Sequence, residues 1–235
     1  PPLIAAGIAP EKIKFVPIGI DVKKFSRAQG TDRATLAQRD GASRAKIQQD
    51  FMRGSEDSSL REPYILSVGR DLGRDYKTLF EAVRGLPVQV IVATKPEAVS
   101  GLTPPPNVRI RFHVPYQDMP ALYAGARFVI TPLKRADNPD GSDTSGQYGY
   151  LEPMAAGKAV IVSDKPVVRD YIEHEKTGIL VEPENPTALR AAIERLHAHE
   201  PLRQTLGAAA QQKVLADFTS VRFASSLAEI LKSLS

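Results

Sequence analysis

The sequence predicts an α/β protein: a Rossmann-like parallel sheet of about six strands with helices on both faces and a helical clasp at the C-terminal end. Three observations predict it. From residue 63 onward, short apolar runs alternate with stretches of helical period. Most of the runs are nearly continuous in β-branched residues, as suits parallel strands covered on both sides. After Val181 the pattern turns wholly helical.

In chain order, strands are expected at Tyr64–Val68 (YILSV), Val88–Ala93 (VQVIVA), Val108–Phe112 (VRIRF), Phe128–Thr131 (FVIT), Ala159–Val162 (AVIV) and Gly178–Val181 (GILV). Helices are expected between them at Thr78–Arg84, Gln117–Gly125, Tyr148–Ala156 and Val167–Glu173, where several open after a turn residue. Asn185-Pro186 then pairs a capping side chain with a proline suited to a first helical position. Leu189, Ile193 and Leu196 fall on one face of the helix that follows. Two more amphipathic helices are expected at Pro201–Phe218 and Thr219–Leu234. Residues 26–62 differ: they are charged, poor in aromatics and weakly periodic, and read as a variable loop or a marginal surface helix over Arg33–Met52.

The chain has 235 residues, 42% of them hydrophobic, which is enough for a substantial core. Cysteine is absent, which excludes disulfides and thiolate metal sites and is compatible with a reducing cytosol. No apolar run approaches the roughly 20 residues of a membrane span, and the opening PPLIAAGIAPEK lacks the features of a signal peptide. The 31 basic and 27 acidic residues are interleaved, so the net charge of +4 does not form the stripe that nucleic acid requires. A mildly basic surface suits anionic small ligands or the cytosolic face of a membrane.

Ligands of open parallel sheets bind beyond the carboxyl ends of the strands, where three polar loops are expected here. VGRDLGRDYKT, residues 68–78, contains Gly69 and Gly73 for tight turns and the cations Arg70, Arg74 and Lys77. Arginine grips phosphate bidentately and lysine acts as a compact charge, so this loop matches a diphosphate. KRADNPDGSDTSGQ, residues 134–147, offers Asp137, Asp140 and Asp143. Their spacing fits no calcium loop, and Pro139 and Gly141 mark turns, so an acidic lid is expected rather than a metal cage. The third loop contains His113, whose backbone is expected to matter more than its ring. SGQYGYLEPMAAGKAVIVSD, residues 145–164, joins a glycine-containing loop, a short helix and a buried strand. Gly146 lets the main chain come close to a ligand, and the helix that follows aims N–H groups at an anion. Glu152, inside that helix, can accept hydrogen bonds from vicinal ribose hydroxyls.

These segments resemble the carboxyl-terminal, donor-binding half of GT-B glycosyltransferases, specifically retaining enzymes of glycosyltransferase family 4. FVPIGIDVKKF at 15–25 is similar to the family's lead-in turn, and YILSVGRDLGRDYKTLFEAV at 64–83 to its phosphate loop. RFHVPYQDMPALYAGARFVITPL at 111–133 is similar to its base-recognition region. The strongest match is residues 145–164, followed by HEKTGILVEPENPTAL at 174–189. The resemblance implies that Arg70 and Lys77 neutralise the diphosphate and that Glu152 binds the ribose. It further implies that main-chain groups near His113 and Val114 meet the base, and that the amides of Gln147 and Tyr148, beside Gly69 and Gly146, meet the diphosphate or donor sugar. No metal or other cofactor is needed for such chemistry. The base is left open among UDP, GDP and ADP.

Departures from the family pattern are equally specific. Where a first glutamate is usual, Thr144 stands, followed by Ser145. The separation of Arg70 and Lys77 is two residues longer than the pattern, which leaves Arg74 as a substitute for either cation, and Ile18 replaces an asparagine. Under the resemblance, residues 1–25 are an interdomain lead-in, 63–218 the nucleotide-sugar domain and 219–235 a final helix, with the N-terminal acceptor domain absent. The chain alone is then expected to bind donor weakly and transfer little or no sugar. It is expected in the cytoplasm, with a membrane-surface acceptor as one option. The alternatives are a non-catalytic nucleotide-sugar-binding module or another GT-B relative such as a nucleotide-sugar epimerase.

Overall fold

Six parallel strands form one sheet in the computed structural model, which describes residues 7, 9, 13–26, 63–135, 137–138 and 146–234. In chain order the elements are α1 (Lys23–Ser26), β1 (Tyr64–Val68), α2 (Tyr76–Val83), β2 (Val90–Thr94), β3 (Val108–Phe112), α3 (Met119–Gly125), β4 (Ala126–Thr131), α4 (Gln147–Ala155), β5 (Val160–Ser163), α5 (Pro166–Arg169), β6 (Ile179–Val181), α6 (Pro186–Ala198), α7 (Glu200–Asp217) and α8 (Ser220–Leu234). Short 3-10 turns occupy Pro96–Val99 and Tyr116–Asp118.

Alternate residues along each strand enter opposite cores, as the two-residue period of a strand dictates. Ile65, Val90, Val92, Ile130 and Ile161 meet Leu79, Phe80 and Val83 of α2 and Leu189, Ile193 and Leu196 of α6. Leu66, Ile91, Val129, Val160 and Val162 meet Leu122 and Tyr123 of α3, Leu151 and Met154 of α4 and Val214 of α7. Each fully buried aliphatic side chain stabilises the fold by about 1.5–3 kcal/mol through removal of its surface from water. The two-sided burial explains why the strands read as continuous apolar runs.

The strand order is β3-β2-β1-β4-β5-β6. After β3 the chain crosses back to the other side of β1, so β1 and β4 are neighbours whose following loops diverge. That reversal opens a crevice at their carboxyl ends.

Local signals set the helix ends. Asp75 accepts a hydrogen bond from the Thr78 amide at 3.0 Å, so α2 starts at Tyr76, ahead of the expected Thr78. Asn185 caps α6 through the Ala188 amide at 2.9 Å. The helix expected over 167–173 ends at Arg169, and Tyr171 and Ile172 beyond it are buried in the core. The charged stretch 27–62, including Arg33–Met52, lies outside the described residues.

The lead-in segment meets the start of the last helix. The Ile20 amide donates to Phe218 O at 2.9 Å, and the Ser220 amide donates to Ile20 O at 3.0 Å. Gly19 permits the approach, since a side chain there would strike the Thr219 backbone. Among the described residues no helix is long and apolar enough to cross a membrane.

Candidate functional site

The loop after β1 turns sharply at Gly69. Its amide donates to Ala93 O at 3.1 Å, and its carbonyl accepts from Tyr76 Oη at 2.8 Å and Thr94 Oγ1 at 2.6 Å. Two further main-chain bonds pin the loop to the segment after β4: Asp75 N to Pro132 O at 3.1 Å, and Lys134 N to Gly73 O at 2.9 Å. Between these bonds stands Arg74, only 4% exposed.

The Arg74 guanidinium is packed against three glycines. A methyl group added at Gly149 would stand 2.7 Å from Nη2, one at Gly146 would stand 3.1 Å from Nη1, and one at Gly69 would overlap Nε. Nε makes a 3.1 Å ion pair with Asp71 Oδ2 that is not aligned as a hydrogen bond. Nη1 is buried and has no hydrogen-bond partner among the described residues. A buried cationic N–H without an acceptor is costly, and such groups are ordinarily satisfied.

Helix α4 begins beside this guanidinium. Gly146 precedes it with φ of +106°, a left-handed conformation that glycine takes without strain. Pro153 inside the helix lacks the N–H that would reach the Gly149 carbonyl four residues back. Thr131 Oγ1 supplies that bond instead, at 2.9 Å, and so ties the helix to the end of β4. The first turn of α4, with the positive end of its dipole, therefore lies beside Arg74, and its Gly149 amide bonds to Gly146 O at 2.8 Å.

Glu152 lies further along α4 and is 4% exposed. Its Oε2 accepts from Tyr123 Oη at 2.9 Å and its Oε1 from Tyr116 Oη at 3.1 Å. Burial pushes the carboxyl pKa up, while the two hydroxyl donors and the Lys24 ammonium pull it down. Tyr116 is itself pushed up to about 12 by burial and by the Glu152 charge it faces.

Arg70 bridges two loops. Its Nη2 donates to Val114 O at 2.8 Å, in the turn where His113 holds φ of +55°. His113 is exposed and Val114 is buried. Beyond this turn lies a groove of about 810 Å³ lined by Pro115, Tyr116, Gln117 and Pro120 on one side and by Asp21, Lys23, Lys24 and Phe25 on the other.

The structure thus brings Gly69, Arg74, Gly146 and the start of α4 together, and links Arg70 to the His113–Val114 turn. Gln147 opens α4, and Tyr148 beside it is half exposed. Lys77 is exposed in the first turn of α2, past the buried Arg74. Thr144 and Ser145 lie outside the described residues, as do Asp140 and Asp143, whereas Asp137 is exposed. Among the described residues no three His, Cys, Asp or Glu side chains gather as metal ligands. Tyr116, Tyr123 and Lys24 surround the Glu152 carboxylate, and the sequence alone does not single them out. Each is far in sequence from Glu152, and no local pattern marks it.

The model of the glycosyl transferases group 1 family matches residues 48–213, well over half of the chain. The chain belongs to this family. No curated protein matches this group 1 glycosyl transferase chain. Among solved structures, it is similar to a glycosyltransferase from Rickettsia africae ESF-5, with TM-score 0.75 and 20% identity over 98% of this chain and 59% of the other. It is similar to HepE from Anabaena in complex with UDP-glucose, with TM-score 0.72 and 19% identity over 98% of this chain and 60% of the other. It is also similar to the C-terminal domain of the group 1 protein LpcC from Francisella tularensis, with TM-score 0.58 and 17% identity over 86% of this chain and 100% of the other. The group 1 chain therefore spans about six-tenths of the first of these structures. Its sheet and flanking helices have the fold of one half of a GT-B glycosyltransferase.

Proposed function

We propose that the chain is the donor-binding domain of a retaining, family 4-type glycosyltransferase, which moves a sugar from a nucleoside diphosphate to an acceptor held by a second domain. The observation that carries this reading is the buried Arg74 guanidinium, whose unpaired Nη1 lies beside the first turn of α4. A diphosphate oxygen is the acceptor that such a pair of donors lacks.

In this reading Arg74 is the inner cation, and Arg70 and Lys77 are the outer ones. The amides of Gln147 and Tyr148 complete the diphosphate cradle, while Gly69 and Gly146 keep its walls low. Glu152 accepts from the ribose hydroxyls, and main-chain groups at His113 and Val114 meet the base. As the bond from the sugar carbon to the diphosphate breaks, negative charge grows on the departing oxygen, and fixed cations and helix amides stabilise it. The acceptor oxygen then bonds to the same face of the sugar, and its proton leaves with the nucleoside diphosphate or to solvent.

HepE crystallised with UDP and with UDP-glucose makes a uridine donor the first to test. A cytoplasmic site, with an acceptor at a membrane surface, is part of the same proposal and is supported by the net charge of +4. Calorimetric titration with UDP, GDP and ADP, with and without EDTA, tests the reading on the wild type, Arg74→Ala and Glu152→Ala. Metal-independent binding of one nucleotide, weakened by both substitutions, is expected. Unchanged affinity in both variants overturns the assignment.

A further inference from the structure

We propose that Tyr116, which borders the groove, sets the selectivity of this site for a vicinal diol, by donating its hydroxyl to Glu152 Oε1 and so fixing the plane of the carboxylate. The inference rests on the reading of Glu152 as the ribose acceptor and adds to it a positioning residue.

The two tyrosines that hold Glu152 are not equivalent. Tyr123 is fully buried on α3, with its ring edge-on to Phe25 at 5.9 Å between centroids. Its bond to Oε2 belongs to the core. Tyr116 is 53% exposed and sits in the one-turn helix that follows the His113–Val114 turn. Its ring borders the groove, edge-on to Phe25 at 6.4 Å, with the Lys24 ammonium 5.4 Å from its centroid. The lead-in segment thus braces the ring in place, and the hydroxyl reaches Oε1.

One donor on each oxygen fixes rotation about the bond that carries the carboxylate. Each oxygen keeps a second acceptor position, because an ionised carboxyl offers about four lone-pair sites. Two neighbouring hydroxyls of a pentose can use one on each oxygen. A ligand with a single hydroxyl can use one, and inorganic pyrophosphate none. Loss of the Tyr116 hydroxyl leaves Oε2 held and Oε1 unheld, so the carboxylate swivels and paired recognition suffers most.

The same hydroxyl has an electrostatic consequence. The groups facing the Glu152 carboxylate are Tyr123 from α3, Tyr116 from its turn and Lys24 from α1, and all three favour its ionised form against burial. Removing one donor shifts the carboxyl further upward.

The test is titration of the wild type, Tyr116→Phe and Glu152→Gln with UDP, 2′-deoxy-UDP and inorganic pyrophosphate across pH 5–8, with the GDP and ADP pairs run in parallel. Phenylalanine keeps the braced ring and removes only an exposed-side hydroxyl, so folding is preserved and can be checked by melting. The wild type is expected to prefer the ribonucleotide. In Tyr116→Phe that preference is expected to fall by about tenfold, the scale of one hydrogen bond to a charged group. Pyrophosphate affinity is expected to stay the same, and the acid limb of ribonucleotide binding to move to higher pH. Equal weakening toward all three ligands, or no change, overturns the proposal while leaving the Glu152 reading intact. A wild type without ribose preference and a silent Glu152→Gln overturn both.

Discussion

The Nη2 atom of Arg74 lies where the first side-chain carbon of any residue but glycine at position 149 would come within 2.7 Å of it. Arg74 belongs to the loop after β1 and Gly149 to α4, so the packing of one atom against a missing side chain joins the two walls of the crevice. A shorter cation would not need that space.

Arg74 therefore outranks its neighbours in the loop. Arg74→Ala is expected to weaken nucleoside diphosphate binding by about tenfold to a hundredfold, the range for a lost charged hydrogen bond. Lys77→Ala, on the exposed face of α2, is expected to change it by less than about twofold, as screened surface charges do. Calorimetry on both variants decides the order, and a larger loss for Lys77→Ala reverses it.

The glycine cradle makes a second expectation. Gly149→Ala improves helix propensity by about 1 kcal/mol in an ordinary helix interior, yet here the new methyl group presses on Nη2 and on Val68 O at 3.2 Å. Net destabilisation and weaker nucleotide binding are expected together. A variant that melts higher and binds as well as the wild type shows that Arg74 is free to move aside.

Glu152 should mark the pH dependence of stability. Burial raises its pKa in the folded state above the unfolded value. For an acid shifted upward, the folded state is favoured at low pH, and that advantage is lost as pH rises through the folded pKa. Glu152→Gln, which mimics the neutral form, is therefore expected to gain stability relative to the wild type as pH rises from 4 to 8. Thermal melts at several pH values give the trend, and a difference that shrinks with rising pH contradicts it.

Gly207 tests the fold away from the site. A methyl group there would run into the Gly157 carbonyl, with Ala159 N at 3.2 Å, so α7 cannot approach the turn after α4 as it does. Overpacking of this kind costs about 1–3 kcal/mol. Gly207→Ala is expected to lower the melting temperature by several degrees, roughly 2–4 °C per kcal/mol at this chain length. An unchanged melt means that the α7 contact contributes little.

Much of the fold was legible because two-sided burial writes itself into sequence: five of the six strands are apolar runs, the edge strand β3 alternates apolar residues with arginine, and Asn185-Pro186 announces α6. The start of α2 moved because a single side chain decided it: Asp75 accepts from the Thr78 amide. The site was legible in part. Arg70, Arg74 and Lys77 are equivalent cations in one dimension, and burial against glycines at 146 and 149 is what separates Arg74 from the others. Tyr116 and Tyr123 carry no local mark of their bonds to Glu152, 36 and 29 residues away. Such contacts are made by topology, through the return of the chain across β1.

The two main-chain bonds that flank Ile20 place the way in and the way out of the sheet at the same point. Tension applied between residues 18 and 222 would load those bonds in parallel with the Gly19–Thr219 contact and leave the six strands slack. In an optical trap this predicts an early, small extension that precedes rupture of the sheet and disappears in Ile20→Pro, which cannot donate to Phe218. Rupture in one step in both proteins would show that no such mechanical fuse exists.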